Sequence, residues 1–167
     1  MALKKITDLS ASTTPSGTGN LFEIAQDDGG GNFSSKKMSV AQLLALFPTL
    51  ASGTYTPTFT ILANLDSGSS YLCMYTRVGN VVTVWGTLLV DATASGNVRF
   101  YLSLPISSTF ASTKDASGTA QGLFTSTSNV GWSVVYADIG NNRVLFNAQT
   151  NVLTNNQWFF SFSYLVL

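Results

Sequence analysis

Histidine is absent from this 167-residue chain, and cysteine occurs once, at Cys73. Without histidine, neither a Ser-His-Asp triad nor a Cys-His pair can be built in its ordinary form. The commonest zinc ligand is missing too, and one cysteine cannot supply a thiolate metal site. Nor can it form an intrachain disulfide. Inside an apolar strand it reads as a small core residue rather than a reactive thiol. Charge is scarce: Asp, Glu, Lys and Arg make up 10% of the chain and sum to zero. An ordinary domain carries roughly 25%. The only basic pairs are Lys4-Lys5 and Lys36-Lys37, which offers little to a phosphate backbone, so no nucleic-acid partner is expected. No apolar run reaches the ~20 residues that cross a bilayer. The amino terminus lacks the apolar stretch of a signal peptide. Synthesis in cytoplasm without membrane insertion is the expectation.

What is present points to structure more than to chemistry. Ser, Thr, Asn and Gly supply the polarity that charge does not. A surface so poor in charge is kept soluble by hydroxyls and amides, or is buried against other subunits. The length suits one domain of about 100–150 residues plus a short extra segment. The carboxylates are Asp8, Glu23, Asp27, Asp28, Asp66, Asp91, Asp115 and Asp138. Most fall in expected turns, where Asp is a good turn former, rather than as the pair that glycoside hydrolysis needs. Asp27-Asp28 beside Gly29 to Gly31 lacks the alternating oxygen ligands of an EF-hand. The glycine runs lack the Lys-Ser/Thr of a phosphate loop. No metal, no cofactor and no enzymatic activity are expected.

The first fifty residues differ in texture from the rest. Residues 1–19 form an arm with Leu3, Ile6 and Leu9 and a Ser/Thr/Gly stretch around Pro15. Leu21 to Ala25 is a strand candidate, 27–32 a turn, and Phe33 to Met38 a returning strand. A helix is expected over 39–47. Ser39 and Gln42 match a capping box, and Met38 and Leu43 a hydrophobic staple. Val40, Leu43, Leu44 and Phe47 share one face, and Pro48 ends the run. So short a helix is unstable alone, so its apolar stripe needs a docking surface.

From Thr54 onward the expectation is β-structure, with strands at 54–62, 70–78, 81–90, 97–104, 116–125, 130–139, 143–149 and 156–167. Polar turns separate them, among them Asp66-Ser67-Gly68 and Gly79-Asn80, the latter a tight-hairpin pair. Strands at this spacing suggest a sandwich or barrel. Alternation places Val82, Val84, Leu88 and Val90 on one face, and Val98, Phe100, Leu102 and Leu104 on another. Trp132 and Tyr136, mixed with Val130 and Val134, read as a core face. Trp85, with Val81, Thr83 and Thr87, reads as outer or subunit-facing. The last strand is apolar on both sides. Trp158, Phe160, Phe162, Tyr164 and Val166 form one face, and Phe159, Leu165 and Leu167 stand on the other. Either that second face meets another subunit, or the strand is central in a single sandwich.

Two stretches resemble bacteriophage virion appendage proteins. Ser35-Lys36-Lys37-Met38-Ser39-Val40-Ala41-Gln42-Leu43-Leu44 is similar to the strand-turn-helix near the amino terminus of tail-fibre and head-fibre proteins. From Ser52 onward, Gly53-Thr54-Tyr55-Thr56-Pro57-Thr58 resembles the opening of a module common in such fibres. Its signature hairpin resembles Tyr75-Thr76-Arg77-Val78-Gly79-Asn80-Val81-Val82-Thr83-Val84-Trp85-Gly86, and Leu102-Ser103-Leu104-Pro105 and Ala120-Gln121-Gly122 its later strands. The resemblance implies a homotrimer with an antiparallel, jelly-roll-like β-sandwich over 52–167. Residues 1–50 would be a stem for attachment and trimerisation, docking on a capsid or tail protein through Met38, Val40, Leu43, Leu44 and Phe47. Trp85, Phe159, Leu165 and Leu167 are the expected subunit contacts. Loops 64–69, 107–117 and 126–129 are the expected receptor surface, with Asn64, Asp66, Ser69 and Asn129 reaching a host-surface glycan. The chain is short and lacks a repetitive shaft, which favours a short fibre or spike on the virion. The alternatives are a capsid-decorating or collar protein, and a depolymerase using Asp66 or Asp91.

Overall fold

Period-2 alternation becomes twelve strands in the computed structural model, which describes residues 21–27, 33–39, 43, 49–123 and 131–167. They are β1 (Leu21–Asp27), β2 (Phe33–Ser39), β3 (Leu50–Tyr55), β4 (Phe59–Ala63), β5 (Leu65–Ser70) and β6 (Cys73–Val78). Then follow β7 (Val81–Ala92), β8 (Gly96–Ser103), β9 (Ala116–Gly122), β10 (Trp132–Ala137), β11 (Arg143–Thr150) and β12 (Asn156–Leu165). The chain divides into two units, Met1–Pro48 and Thr49–Leu167.

In the first unit, β1 and β2 pair antiparallel from Leu21↔Ser39 to Asp27↔Phe33, as the strand candidates there predict. Ser39 closes β2 and Leu43 is helical. The remainder of the expected helix, with Val40, Leu44 and Phe47, lies outside the described residues.

In the second unit, ten strands form one antiparallel sheet in the order β3-β6-β7-β12-β9-β10-β11-β8-β4, with β5 also paired to β7. Laid flat, that order would be about 38 Å wide at the usual strand spacing. Yet its two end strands, β3 and β4, are joined by Thr56-Pro57-Thr58 alone, a link that spans at most about 14 Å. The sheet must therefore curl until its ends meet. Hydrogen bonds mark the seam: Tyr55 Oη donates to Ser103 O (3.3 Å), and Thr58 N to Ser103 Oγ (2.8 Å). Pro57, buried at this seam, breaks the strand expected over 54–62, because it has no N–H for a ladder.

The hairpin at Gly79-Asn80 is present, with Val78 opposite Val81 and Gly79 at φ 60°. Asn80 keeps a negative φ, so the glycine alone takes the left-handed position, as in a type II′ turn.

Inside the curl lies one apolar core. Val82, Val84, Leu88 and Val90 of β7 and Val98, Phe100 and Leu102 of β8, with Leu104 just beyond it, are buried as alternation predicts. Phe59, Phe100 and Phe146 stack in sequence, with centroids 4.6 and 4.8 Å apart. Phe146 meets Phe160 and Phe162 edge-on at 5.6 and 6.1 Å, a favourable aromatic geometry. Phe146 and these two rings stand on β11 and β12, with β9 and β10 between them in the sheet. The intervening strands turn small residues inward: Ala116, Gly118, Ala120 and Gly122 from β9, and Ser133, Val135 and Ala137 from β10. The aromatic rings close over those small side chains. A Cβ at Gly118 would fall inside contact distance of Phe162 Cβ and Ser161 O, so this position requires glycine.

Two further expectations are corrected. Asp66-Ser67-Gly68 is not a turn but part of β5, which pairs with β7 through a register shift between Leu65 and Ser67. There the absent side chain of Gly68 leaves room for the Phe59 ring. Trp132, Val134 and Tyr136 do not face the core: Trp132 and Val134 are exposed and Tyr136 half-buried, while Ser133, Val135 and Ala137 point in. The core at β10 is already filled by neighbouring rings, so the smaller residues of that strand take the inner side. For the last strand, where two alternatives stood open, the chain shows a central position together with an open second face. The strand lies between β7 and β9, yet Phe159 is 49% and Leu165 38% exposed.

Candidate functional site

The outer face of the sheet carries the side chains that packing leaves unused. Opposed residues in antiparallel strands share a face, so the registers define rows across it. At one end Leu50, Val78, Val81 and Leu165 form a row across β3, β6, β7 and β12. All four are exposed, as is Leu167 just beyond β12. Trp85, half-buried, stands further along β7 between Met74 and Ser161. Next to it Thr83 Oγ1 and Ser163 Oγ pair at 2.8 Å.

The other end is built differently. Phe159, Gln121 and Trp132 form one row across β12, β9 and β10, and Ser161, Thr119 and Val134 the next. Together they line a shallow groove of about 680 Å³. Trp132 is 61% exposed, and Gln121, Thr119 and Ser161 are exposed as well. No charged side chain lines the groove. The expected subunit contacts are therefore split: Leu165 and Leu167 sit at the apolar end and Phe159 at the groove.

The expected receptor loops are tied down instead. Asn64, with φ 59°, donates from Nδ2 to Ala94 O (2.9 Å) and Asn97 O (3.1 Å). Asp66 Oδ1 accepts from Thr93 Oγ1 at 2.8 Å. Both hold the turn between β7 and β8. Asp66 and Ser69 lie within β5, so the loop expected at 64–69 is largely strand. Asn129 lies outside the described residues. Segment 107–117 is a strap, not an open loop. Ser108 and Phe110 are buried. Ser108 Oγ donates to Leu165 O (2.7 Å) and accepts from Leu167 N (3.2 Å). Tyr164 Oη donates to Ile106 O (2.8 Å) and accepts from Ile106 N (3.2 Å).

Other chemistry-bearing groups are likewise engaged. Asp115 Oδ2 accepts from Ala111 N (2.8 Å) and Ser112 N (2.7 Å), capping the single turn at Thr113–Asp115. Asp138 pairs with Arg143, whose guanidinium lies 3.8 Å over the Tyr101 ring. Cys73 is buried beneath Gly86, and burial pushes its thiol up from the usual range. Burial also raises Tyr164, to about 12, and Tyr55 further still. Among the described residues, no three His, Cys, Asp or Glu side chains cluster as a metal would need.

Reading Trp132 as core hid the groove. One signal could have revealed it: the opposite phase of the same strand, Ser133, Val135 and Ala137, is a self-consistent small inner face. No family model, curated protein or solved structure matches the chain.

Proposed function

We propose that the chain is a non-enzymatic structural component of a bacteriophage virion. It is a short trimeric fibre or spike with a jelly-roll-like β-sandwich head that contacts the host surface. Residues 1–48 attach to a capsid or tail protein. The motifs at 35–44, 53–58, 75–86, 102–105 and 120–122 motivate this reading.

The observation that carries it is the outer sheet face. A well-filled core makes the sheet a rigid platform, and exposed apolar side chains stand on it in ordered rows. Contiguous exposed apolar surface marks interaction sites. The row Leu50, Val78, Val81 and Leu165 suits a subunit contact, because a chain with 10% charged residues has little else to keep such surface solvated.

Mass spectrometry and labelled-antibody imaging of purified particles test the assignment; absence of the chain from particles sinks it. Sedimentation tests the assembly. A trimer is expected, with Val81→Asp and Leu165→Asp together driving it to monomer. A wild-type monomer at micromolar concentration removes the trimer from the proposal. Deleting residues 1–48 is expected to abolish particle binding while the second unit stays folded. Retained decoration of particles by that fragment would overturn the division of labour.

A further inference from the structure

The groove between Phe159 and Trp132 sets polar side chains between two exposed aromatic rings. Elsewhere on the outer face some polar side chains pair, Thr83 with Ser163 and Asn97 with Asn147. On the groove floor, Gln121, Thr119 and Ser161 make no side-chain hydrogen bond with the described residues, and all three are exposed. A free amide and two free hydroxyls thus lie in and beside the row that joins two exposed aromatic rings. Phe159 and Trp132 are two strand spacings apart, about 9–10 Å, which leaves room for one pyranose ring above Gln121.

We propose that this groove binds a neutral glycan. The inference rests on the reading of the chain as a displayed binding module, and it names the ligand class and the residues. A pyranose presents an apolar C–H face and a rim of hydroxyls. Aromatic rings match the first. Amide and hydroxyl groups that both donate and accept match the second. The lining carries no charge, so a uronate or sialate gains no ion pair there and loses hydration on entering. A single shallow site is weak, and repetition on an oligomer multiplies it through avidity.

Isothermal calorimetry of the full chain against cellohexaose, chitohexaose, mannohexaose and galactohexaose tests the site, with hexagalacturonate as the charged counterpart. At least one neutral hexamer is expected to bind saturably, and hexagalacturonate at least tenfold more weakly. Trp132→Ala is expected to weaken binding at least tenfold, and Trp132→Phe to retain most of it. Unchanged thermal unfolding separates these effects from misfolding. Lack of binding by every neutral hexamer overturns the proposal. So does undiminished binding by the Trp132→Ala/Phe159→Ala double variant. If that double variant instead dissociates the oligomer, the groove is a subunit contact and the proposal falls. Absence of the chain from phage particles sinks the virion reading and leaves the calorimetry untouched, so the two failures are distinct.

Discussion

Strands β9 and β12 are neighbours in the sheet, yet they line the core in opposite ways. β12 turns in Trp158, Phe160, Phe162 and Tyr164, all buried, while β9 turns in two alanines and two glycines. The difference is one of volume rather than hydrophobicity. A curled sheet has a limited interior, and interiors fill to the density of an organic crystal. Large rings on β12 and β11 occupy the space over β9 and β10, so those strands must be thin. Side-chain size on one strand is therefore set by what its neighbours carry.

Removing a ring from the thick side is the strongest way to test this. Phe146→Ala is expected to destabilise by about 3–5 kcal/mol, because the ring is fully buried and its neighbours relax only partly. Equilibrium unfolding in denaturant measures the loss. Adding to the thin side comes next. Gly118→Ala is expected to cost about 1–3 kcal/mol through overpacking. The obstruction is Phe162 Cβ and the Ser161 carbonyl, so shortening the ring by Phe162→Leu does not relieve it. A double variant as stable as Phe162→Leu alone would break the comparison.

The third test concerns the C-terminal end of β12. Tyr164 is raised from 10.0 to about 12, first by burial, with the bond that Ile106 N donates to its oxygen partly opposing. Below pH 10 the phenol is protonated in both folded and unfolded chains, so its stabilisation is fully present. Between 10 and 12 the unfolded phenol ionises while the folded one stays neutral. Stability is therefore expected to fall as pH rises through that window. Tyr55, raised in the same direction, adds to the fall. Tyr164→Phe is expected to flatten the fall, and to lower stability by about 1–3 kcal/mol below pH 10 by leaving Ile106 unpaired. Thermal melts across pH 8 to 12 check both signs.

The smallest effect is expected on the outer side of the same strands. Thr119→Ala and Trp132→Ala are expected to change stability by no more than about 0.5 kcal/mol, since both side chains are exposed. A large loss in either would mean that the outer face is packed in the assembly.

Much of the sheet was legible without coordinates. Strands with large inward residues announce their faces: Val82, Val84 and Leu88, or Val98, Phe100 and Leu102, stand out by simple alternation. The Gly79-Asn80 turn was equally plain, because few residues other than glycine accept φ 60°. β10 was not legible, since apolar residues occur in both of its phases and the larger set, Trp132, Val134 and Tyr136, faces out. β5 was hidden in Asp66-Ser67-Gly68, whose composition is that of a turn. The receptor residues placed on loops met the same difficulty. Asn64 and Asp66 look like free polar tips in the sequence, and only the fold shows their partners to be Ala94, Asn97 and Thr93.

Local chemistry thus decided where most of the strands lie, the reversal at Gly79-Asn80, and which catalytic and metal chemistries a chain without histidine could not build in the ordinary way. The closure of the sheet, the phase of β10 and the groove between Phe159 and Trp132 belong to the tertiary structure. Each depends on volume contributed by strands distant in sequence, and alternation along one strand carries no information about the volume of its neighbours.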